Sequence, residues 1–171
     1  WMMKSSGLSN QSRGLELNTK WKANKMVNLG LAYTYTKSRS GNDCDDPDRE
    51  TGFFGAYNYC IARGTDVDQA MVRVPRHSLT SNLNYLFNKD LNFSLITKLV
   101  GERRDYGNTN NSFKDVILKE YMNVDLAANY NLYNQYNLYF IAKNIFDETY
   151  EDAYQYSGQD QNLSFGIKKS F

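Results

Sequence analysis

The sequence predicts an all-β fold, an antiparallel β-barrel that crosses a membrane, and three patterns predict it. Seven segments alternate apolar and polar residues, so each would form a strand with one apolar and one polar face. Long and short connections alternate between them, as in barrels with short periplasmic turns and long extracellular loops. Aromatic residues make up 15% of the chain, and its 14 tyrosines suit a lipid–water boundary because the ring is apolar and the hydroxyl polar.

Composition restricts the chain to few classes of function. Its 171 residues suffice for one domain, and a net charge of +1 gives no bulk field that would attract nucleic acid. Mean hydropathy is −0.67. No apolar stretch approaches the roughly 18 residues of a membrane helix, whereas a transmembrane strand needs only about 9–11. Glycine-rich phosphate loops, paired catalytic carboxylates and Ser-His-Asp sets are absent from the sequence, which therefore predicts neither an enzyme nor a cofactor.

The first four strands are predicted as two hairpins separated by a polar connection at 37–71. The first hairpin has strands at 15–22 and 27–36, joined by a turn at 22–25. Its second strand shows the most regular alternation of the chain. The second hairpin turns on the tripeptide Asn-Lys-Asp, whose residues favour turns. Its strands and turn are residues 78–87, 88–90 and 91–99.

The last three strands follow a medium polar loop at 101–114. The hairpin has strands at 123–132 and 138–142, joined by a turn at 134–135. After a loop at 144–160, the terminal strand is residues 162–171. In the terminal strand Leu163, Phe165, Ile167 and Phe171 share one face, and polar residues share the other. We expect this strand to close a barrel wall, because lipid does not tolerate an unpaired strand edge.

The odd number of strands predicts that the barrel is larger than the chain. Bacterial outer-membrane barrels close with even strand numbers, from about eight upward. The chain begins at Trp1 and shows no signal peptide. We therefore expect residues 1–171 to be the C-terminal portion of a larger barrel domain. The alternative is a small closed barrel that acts as an anchor or adhesin, in which residues 1–8 supply an eighth strand.

Six short motifs and the terminal Phe171 carry a family resemblance. In chain order the motifs are GLEL at 14–17, YTYT at 33–36, RVPRH at 73–77, GERRD at 101–105, VDL at 124–126 and NIFDETYE at 144–151. In type and order they resemble the barrel domain of TonB-dependent outer-membrane receptors. The motif at 144–151 is the most specific of the set, and together the matches cover nearly the whole chain.

The resemblance implies a barrel of about 22 strands with an internal plug, of which this chain would be the last third. It implies a bacterial outer-membrane receptor that takes up a chelated nutrient, such as a ferric siderophore, haem or cobalamin. The implied partners are outer-membrane lipid and lipopolysaccharide, the barrel assembly machinery, and the TonB complex through a plug domain that is absent from this chain. A passive porin, which needs the same further strands but no plug, is an alternative.

The longest connection contains both cysteines of the chain, Cys44 and Cys60. An even pair in one exposed loop predicts a disulfide in an oxidising compartment. Closing a loop of about 15 residues restrains the unfolded chain by about 3 kcal/mol. Two reduced thiols are the alternative, and a metal site lacks a nearby histidine. An acidic run at 43–50 predicts a solvated loop or, alternatively, a Ca²⁺ site without the EF-hand spacing.

Several exposed-loop residues are candidates for ligand contact. Phe53, Phe54, Tyr57 and Tyr59 follow the acidic run, and they either grip a ligand or headgroup or pack on one another. Arg103 and Arg104 can bind ligand or lipopolysaccharide phosphates through their guanidinium groups, or pair within the loop end. The sole histidine, His77, is expected to occupy a strand entry beside Pro75, without a catalytic or metal role.

Overall fold

The computed structural model describes residues 10–40, 70–109, 112–133 and 135–169 as an all-β structure. In chain order the strands are β1 Asn10–Lys22, β2 Val27–Ser40, β3 His77–Leu86, β4 Leu91–Val100, β5 Arg103–Thr109, β6 Ser112–Leu118, β7 Tyr121–Leu132, β8 Tyr136–Lys143, β9 Glu151–Ala153, β10 Tyr156–Ser157 and β11 Asn162–Lys169. No helix in these ranges is long and apolar enough to cross a membrane.

Seven strands form one antiparallel sheet in the order β1-β2-β3-β4-β7-β8-β11, which confirms the seven predicted wall strands. Each wall strand pairs with its nearest wall neighbour along the chain, as in an up-and-down barrel. Within the described residues the sheet is open, with β1 and β11 as its two edges. Residues 1–8, the alternative eighth strand, and Phe171, the last residue of the predicted closing strand, lie outside the described residues.

The register keeps one apolar face continuous across the whole sheet. One cross-strand row passes through all seven strands, and its members are Trp21, Leu29, Leu83, Leu95, Leu126, Ala142 and Leu163. Leu163 and Phe165 are 62% and 87% exposed, so the chain itself leaves this face open. The neighbouring row on the other face is mostly polar or small: Lys22, Asn28, Asn84, Ser94, Ala127, Ile141 and Ser164. One face suits lipid and the other an aqueous or plugged lumen.

The short turns lie together at one end of the sheet. In the β1–β2 turn, Asn24 Oδ1 accepts hydrogen bonds from the amides of Met26 and Val27, at 2.7 and 2.9 Å. In the β3–β4 turn, Asn88 Oδ1 accepts from Asp90 and Leu91, at 2.8 and 2.9 Å. An Asn side chain replaces a backbone acceptor in both turns, so the sequence signal for these turns has a direct structural cause.

The long connections meet at the opposite end, which we call the loop end. Two of them contain short hairpins, β5-β6 and β9-β10, where the sequence predicted only loops at 101–114 and 144–160. The first three residues of β5, Arg103, Arg104 and Asp105, point to alternate faces of the strand and are all buried. Covering both faces removes the polar–apolar alternation on which strand prediction depends. The most buried side chains of the described residues cluster at or near this end.

Candidate functional site at the loop end

Asp105 joins three separate segments at the loop end. Its side chain is fully buried. Oδ1 accepts hydrogen bonds from Tyr106 N at 2.8 Å and Arg73 Nε at 3.0 Å, and Oδ2 accepts from Tyr154 N at 2.7 Å and Arg73 Nε at 3.1 Å. The donors belong to the segment before β3, to β5 itself and to the β8–β11 connection. One carboxylate therefore fixes the positions of three long connections.

The hydrogen bonds keep the Asp105 carboxylate ionised. Desolvation by burial raises its pKa, but the amides of Tyr154 and Tyr106 and the Arg73 guanidinium lower it, and the net pKa lies below the ordinary value of 3.8. The bonds to Arg73 are charge-assisted, although the Arg73 side chain is 57% exposed and partly screened by water. The two buried backbone amides are therefore the stronger restraints on this carboxylate.

Arg104 and Arg73 attach the segment before β3 to the β5-β6 hairpin. Arg73 has a positive φ of 63°, and its amide donates to Arg104 O at 2.7 Å. Arg104 Nη1 donates to Ala70 O at 3.1 Å, and its guanidinium lies 5.1 Å from the ring centroid of Tyr106. We call five residues that connect these segments the loop junction: Arg73, Arg103, Arg104, Asp105 and Tyr154.

Arg103 attaches the same hairpin to the β8–β11 connection. Its Nη2 donates to Glu151 O and lies 3.9 Å from Asp152 Oδ1. Its guanidinium lies 5.3 Å from the Tyr121 ring centroid, within cation–π range. Tyr121 also stacks on Tyr150 at 4.1 Å and donates to Asp152 Oδ1 at 2.8 Å. The β8–β11 connection is thus held against the polar face of β7.

Asn144 holds the two ends of the β8–β11 connection together. It is fully buried and has a positive φ of 48°, a conformation that Asn tolerates better than most residues. Nδ2 donates to Glu148 O and Gln159 O, and Oδ1 accepts from Glu148 N, all at 2.9 Å. The backbone N–H of Asn144 donates to Asp125 Oδ1 at 2.9 Å. All its side-chain hydrogens are used, which explains why this position in the NIFDETYE motif requires an amide.

Two glycines make room for tyrosine rings in this packing. A Cβ at Gly158 would lie 2.2 Å from the Tyr150 ring, and one at Gly107 would lie 2.8 Å from the Tyr154 ring and 2.6 Å from Val116. Larger residues at either position would displace the ring. The glycines are therefore part of the mechanism that positions the β8–β11 connection.

A second feature of the loop end is a basic cavity, which we call the rim notch. Its volume is about 1190 Å³, and it opens between the end of the β1-β2 hairpin and the β5-β6 hairpin. The charged side chains that line it are Arg13, Lys37, Arg76, Arg103, Arg104, Glu102 and Glu120. Arg103 and Arg104 are already engaged by the loop junction. The chemistry available in the notch is the binding of an anion.

The structure places the predicted site residues in three groups. Arg103 and Arg104 lie in the loop junction, and their contact with a ligand stays a prediction. Leu163, Phe165 and Ile167 lie in β11 on the apolar face, and their part in closing a barrel stays a prediction. Cys44, Cys60, Phe53, Phe54, Tyr57, Tyr59, Phe171 and the acidic run at 43–50 lie outside the described residues. No group of three metal-ligating His, Cys, Asp or Glu side chains occurs in the described ranges.

His77 begins β3, as the sequence predicted. Its Nδ1 lies 2.8 Å from Tyr33 Oη, and its ring centroid lies 5.2 Å from that of Tyr35. It therefore belongs to an aromatic cluster on the apolar face at the loop end. Such amphipathic rings suit the lipid–water boundary.

Sequence reasoning missed Asp105, Arg73 and Asn144 as the residues that organise the loop end. All three lie within motifs that carry the family resemblance, but the motifs do not reveal the partners. Asp105 contacts residues 32 and 49 positions away. The available signal was weak: Asp105 and Asn144 each lie near the start of a predicted loop and are followed within two positions by an aromatic residue.

Comparisons with known proteins agree with this architecture. The family model described as "TonB dependent receptor-like, beta-barrel" matches residues 6–145. The pyoverdine outer membrane receptor FpvA from Pseudomonas aeruginosa superposes with a TM-score of 0.69 at 18% identity, over 96% of this chain and 22% of that one. The ferric-catecholate import receptor Fiu from E. coli gives 0.69 at 14% identity, over 95% and 21%.

A third similar structure is the siderophore receptor PiuA from Acinetobacter baumannii, with a TM-score of 0.64 at 17% identity over 91% of this chain and 20% of that one. The chain therefore spans about a fifth of the length of these structures. At these identities the superpositions establish the barrel fold. A comparison with curated protein sequences gives no match.

Proposed function

Because the chain belongs to the TonB-dependent receptor-like β-barrel family, we propose that it forms part of the wall of an energy-coupled receptor that imports a chelated nutrient. Barrels of this family lie in the bacterial outer membrane. The observation that carries the proposal is the seven-stranded sheet, which has one continuous apolar face, one polar face and all its long connections at one end. In outer-membrane barrels the longer loops face outside, where a nutrient arrives.

The proposed barrel is larger than the chain. Its two edge strands, β1 and β11, need partners in lipid, because unsatisfied backbone groups there cost several kcal/mol each. We propose that residues 1–171 are the C-terminal portion of a barrel of about 22 strands. On this reading a plug domain and its TonB-binding segment lie outside the chain, and the barrel assembly machinery inserts the whole.

A ferric siderophore is the preferred nutrient class, with haem and cobalamin as alternatives. The support is the function in the names of similar structures: FpvA binds pyoverdine, Fiu imports ferric catecholates, and PiuA is a siderophore receptor. The loop junction contributes by holding the loops in place over the lumen. Phe53, Phe54, Tyr57 and Tyr59, in the longest connection, are proposed to contact the ligand.

Gene disruption tests the proposal most directly. The gene that encodes this chain would be disrupted in its host, and uptake of radiolabelled iron from several siderophores, haem and labelled cobalamin would be measured. We expect uptake of one compound to be lost and to be restored by the intact gene. We also expect that uptake to stop when TonB is removed or the inner-membrane potential is collapsed. Uptake that survives both treatments would indicate a passive porin instead.

The disulfide between Cys44 and Cys60 is part of the same proposal. A disulfide would reduce the number of conformations open to the longest extracellular connection and hold its aromatic residues near the lumen. Intact-mass measurement should show a mass lower by about two hydrogens than that of the reduced chain, since each bridge forms by loss of two thiol hydrogens. Alkylation of both thiols without a reductant would contradict it.

A further inference from the structure

Three described segments at the loop end are bonded to one another: residues 70–76 before β3, the β5-β6 hairpin, and the β8–β11 connection at 144–161. In β5, Arg104 bonds to the first segment, Arg103 to the third and Asp105 to both. Each segment also has a backbone hydrogen bond at its root on the wall, and these bonds are Thr36 N to Arg76 O, Gly101 N to His77 O and Ile145 N to Val124 O. Above the roots, the start of β5 therefore connects the three segments.

Arg73 is the member of the loop junction that solvent reaches. Arg103, Arg104 and Asp105 are buried, whereas the Arg73 side chain is 57% exposed. Both of its bonds to Asp105 come from one atom, Nε, which lies 3.0 Å from Oδ1 and 3.1 Å from Oδ2. Among the described residues neither Nη1 nor Nη2 of Arg73 has a hydrogen-bond partner, so this edge of the guanidinium is open to solutes. A dissolved anion can therefore reach Arg73 while the rest of the junction is closed.

The backbone of Arg73 has an unfavourable conformation. Its φ of 63° lies in the left-handed region, where the Cβ of an L-residue comes too close to the following carbonyl oxygen. Two contacts with β5 hold it there, the 2.7 Å bond from its N–H to Arg104 O and the bonds from Nε to Asp105. Such strain persists only where surrounding contacts impose it. Loss of the bonds to Asp105 therefore allows the backbone to relax and weakens the bond to Arg104 as well.

We propose that the loop junction is an anion-sensitive latch, in which the three segments open in one concerted step and Arg73 is the point of release. An oxyanion that pairs with Nη1 and Nη2 competes with Asp105 for the guanidinium charge. It binds the open junction better than the closed one, and this difference in affinity shifts the equilibrium toward the open form. Because Asp105 bonds to both other segments, loss of Arg73 weakens the whole junction. The Arg73–Asp105 pair is partly screened by water, so the shift is small and reversible.

Residue-resolved hydrogen–deuterium exchange of the whole receptor, purified in detergent, tests the concerted step. The reporters are the amides of Arg73, Tyr106 and Tyr154, one in each segment, and all three donate within the junction. Arg73→Gln should speed exchange at Tyr106 and Tyr154 by about twofold to fivefold, the effect of losing one exposed ion pair. The matched control is Arg76→Gln, which removes an exposed arginine of the same segment from outside the junction and should leave the reporters unchanged. No change at Tyr154 in Arg73→Gln would overturn the concerted step.

The reverse experiment perturbs the β8–β11 connection and observes Arg73, because coupling between two sites is reciprocal. Gly158→Ala places a Cβ 2.2 Å from the Tyr150 ring, outside the junction. It should speed exchange at Arg73 and Tyr154 by the same factor, while amides of the β3–β4 ladder stay protected. Faster exchange at Tyr154 alone would mean that the segments open independently, and the concerted step would be wrong.

Inorganic phosphate tests Arg73 as the point of release. At equal ionic strength, replacing sodium chloride by sodium phosphate should speed exchange at all three reporters in the wild type and in Arg76→Gln, after correction for intrinsic exchange. Arg73→Gln should show no such effect, because it lacks the guanidinium. An equal effect in Arg73→Gln, or none in the wild type, would overturn the role of the anion. None of these measurements depends on nutrient uptake, so the transport proposal can fail separately.

Discussion

Asp105→Asn should release the loop junction while leaving the barrel wall intact. The substitution conserves volume but replaces one carboxylate oxygen by an NH₂ group. Oδ1 faces Tyr106 N and Oδ2 faces Tyr154 N, so either orientation of the amide places a donor against a buried donor. A lost hydrogen bond to a charged group, with its partner left buried, costs about 2–4 kcal/mol. The exposed Arg73 can turn to water and adds little.

Hydrogen–deuterium exchange of the whole receptor measures the loss of local stability at the loop junction. A loss of about 2–4 kcal/mol should speed local exchange at Tyr154 by about 30-fold to 1000-fold, since about 1.4 kcal/mol is tenfold. Amides in the β3–β4 ladder should not change. Asp160→Asn, at an exposed carboxylate of the same connection, is the matched control. Unchanged exchange at Tyr154, or equal effects of the two variants, would refute the assigned role of Asp105.

The pH dependence of the same exchange has a definite sign. The pKa of Asp105 is lowered by folding, so its contribution is complete above the ordinary value of 3.8 and is lost as pH falls through the lowered value. After correction for intrinsic exchange, protection at Tyr154 should therefore be flat near neutral pH and decline only in strong acid. A decline between pH values of about 5 and 7 would contradict an Asp with a lowered pKa.

The remaining predictions concern the connection and the wall. Asn144→Asp places a charge against the carbonyl oxygens of Glu148 and Gln159 and should lower local stability by about 2–4 kcal/mol, read as protease cleavage within 144–160. Gly158→Ala should displace the Tyr150 ring at a cost of about 1–3 kcal/mol by exchange, and an unchanged loop would contradict the packing. Leu83→Arg on the lipid face should cost about 2–4 kcal/mol in urea unfolding from vesicles. The adjacent lumen-facing Asn82→Arg should be nearly neutral, and equal costs would reverse the assigned faces.

The wall was predictable because lipid and lumen impose opposite polarity on alternate residues. Leu29, Leu83 and Leu95 share one face in the sequence pattern and form one row in the sheet. Boundaries were less accurate: the strand predicted at 15–22 extends from Asn10 to Lys22. Above the membrane both faces of a strand can be polar, so alternation ends before the ladder does.

The loop end was not predictable in the same way. Arg103 and Arg104 stood out as a cationic pair available to a ligand, whereas both are buried against neighbouring connections. The paired loop end expected as the alternative does exist, but Asp105 pairs with Arg73 rather than with its neighbours in sequence. The β5-β6 hairpin was missed because Arg103, Arg104 and Asp105, on both faces of β5, are all buried. Strands β9 and β10 have three and two residues, too few to show an alternating pattern.

The sequence by itself determined the all-β class, the seven wall strands, the face that meets lipid and the family. These follow from local chemistry, because a strand reports its two environments every second residue. Only the tertiary structure decided what Asp105 and Asn144 do and where Arg13, Lys37 and Arg76 meet. Those roles depend on which segments, tens of residues apart, come within hydrogen-bonding or charge range, and no local pattern encodes that distance.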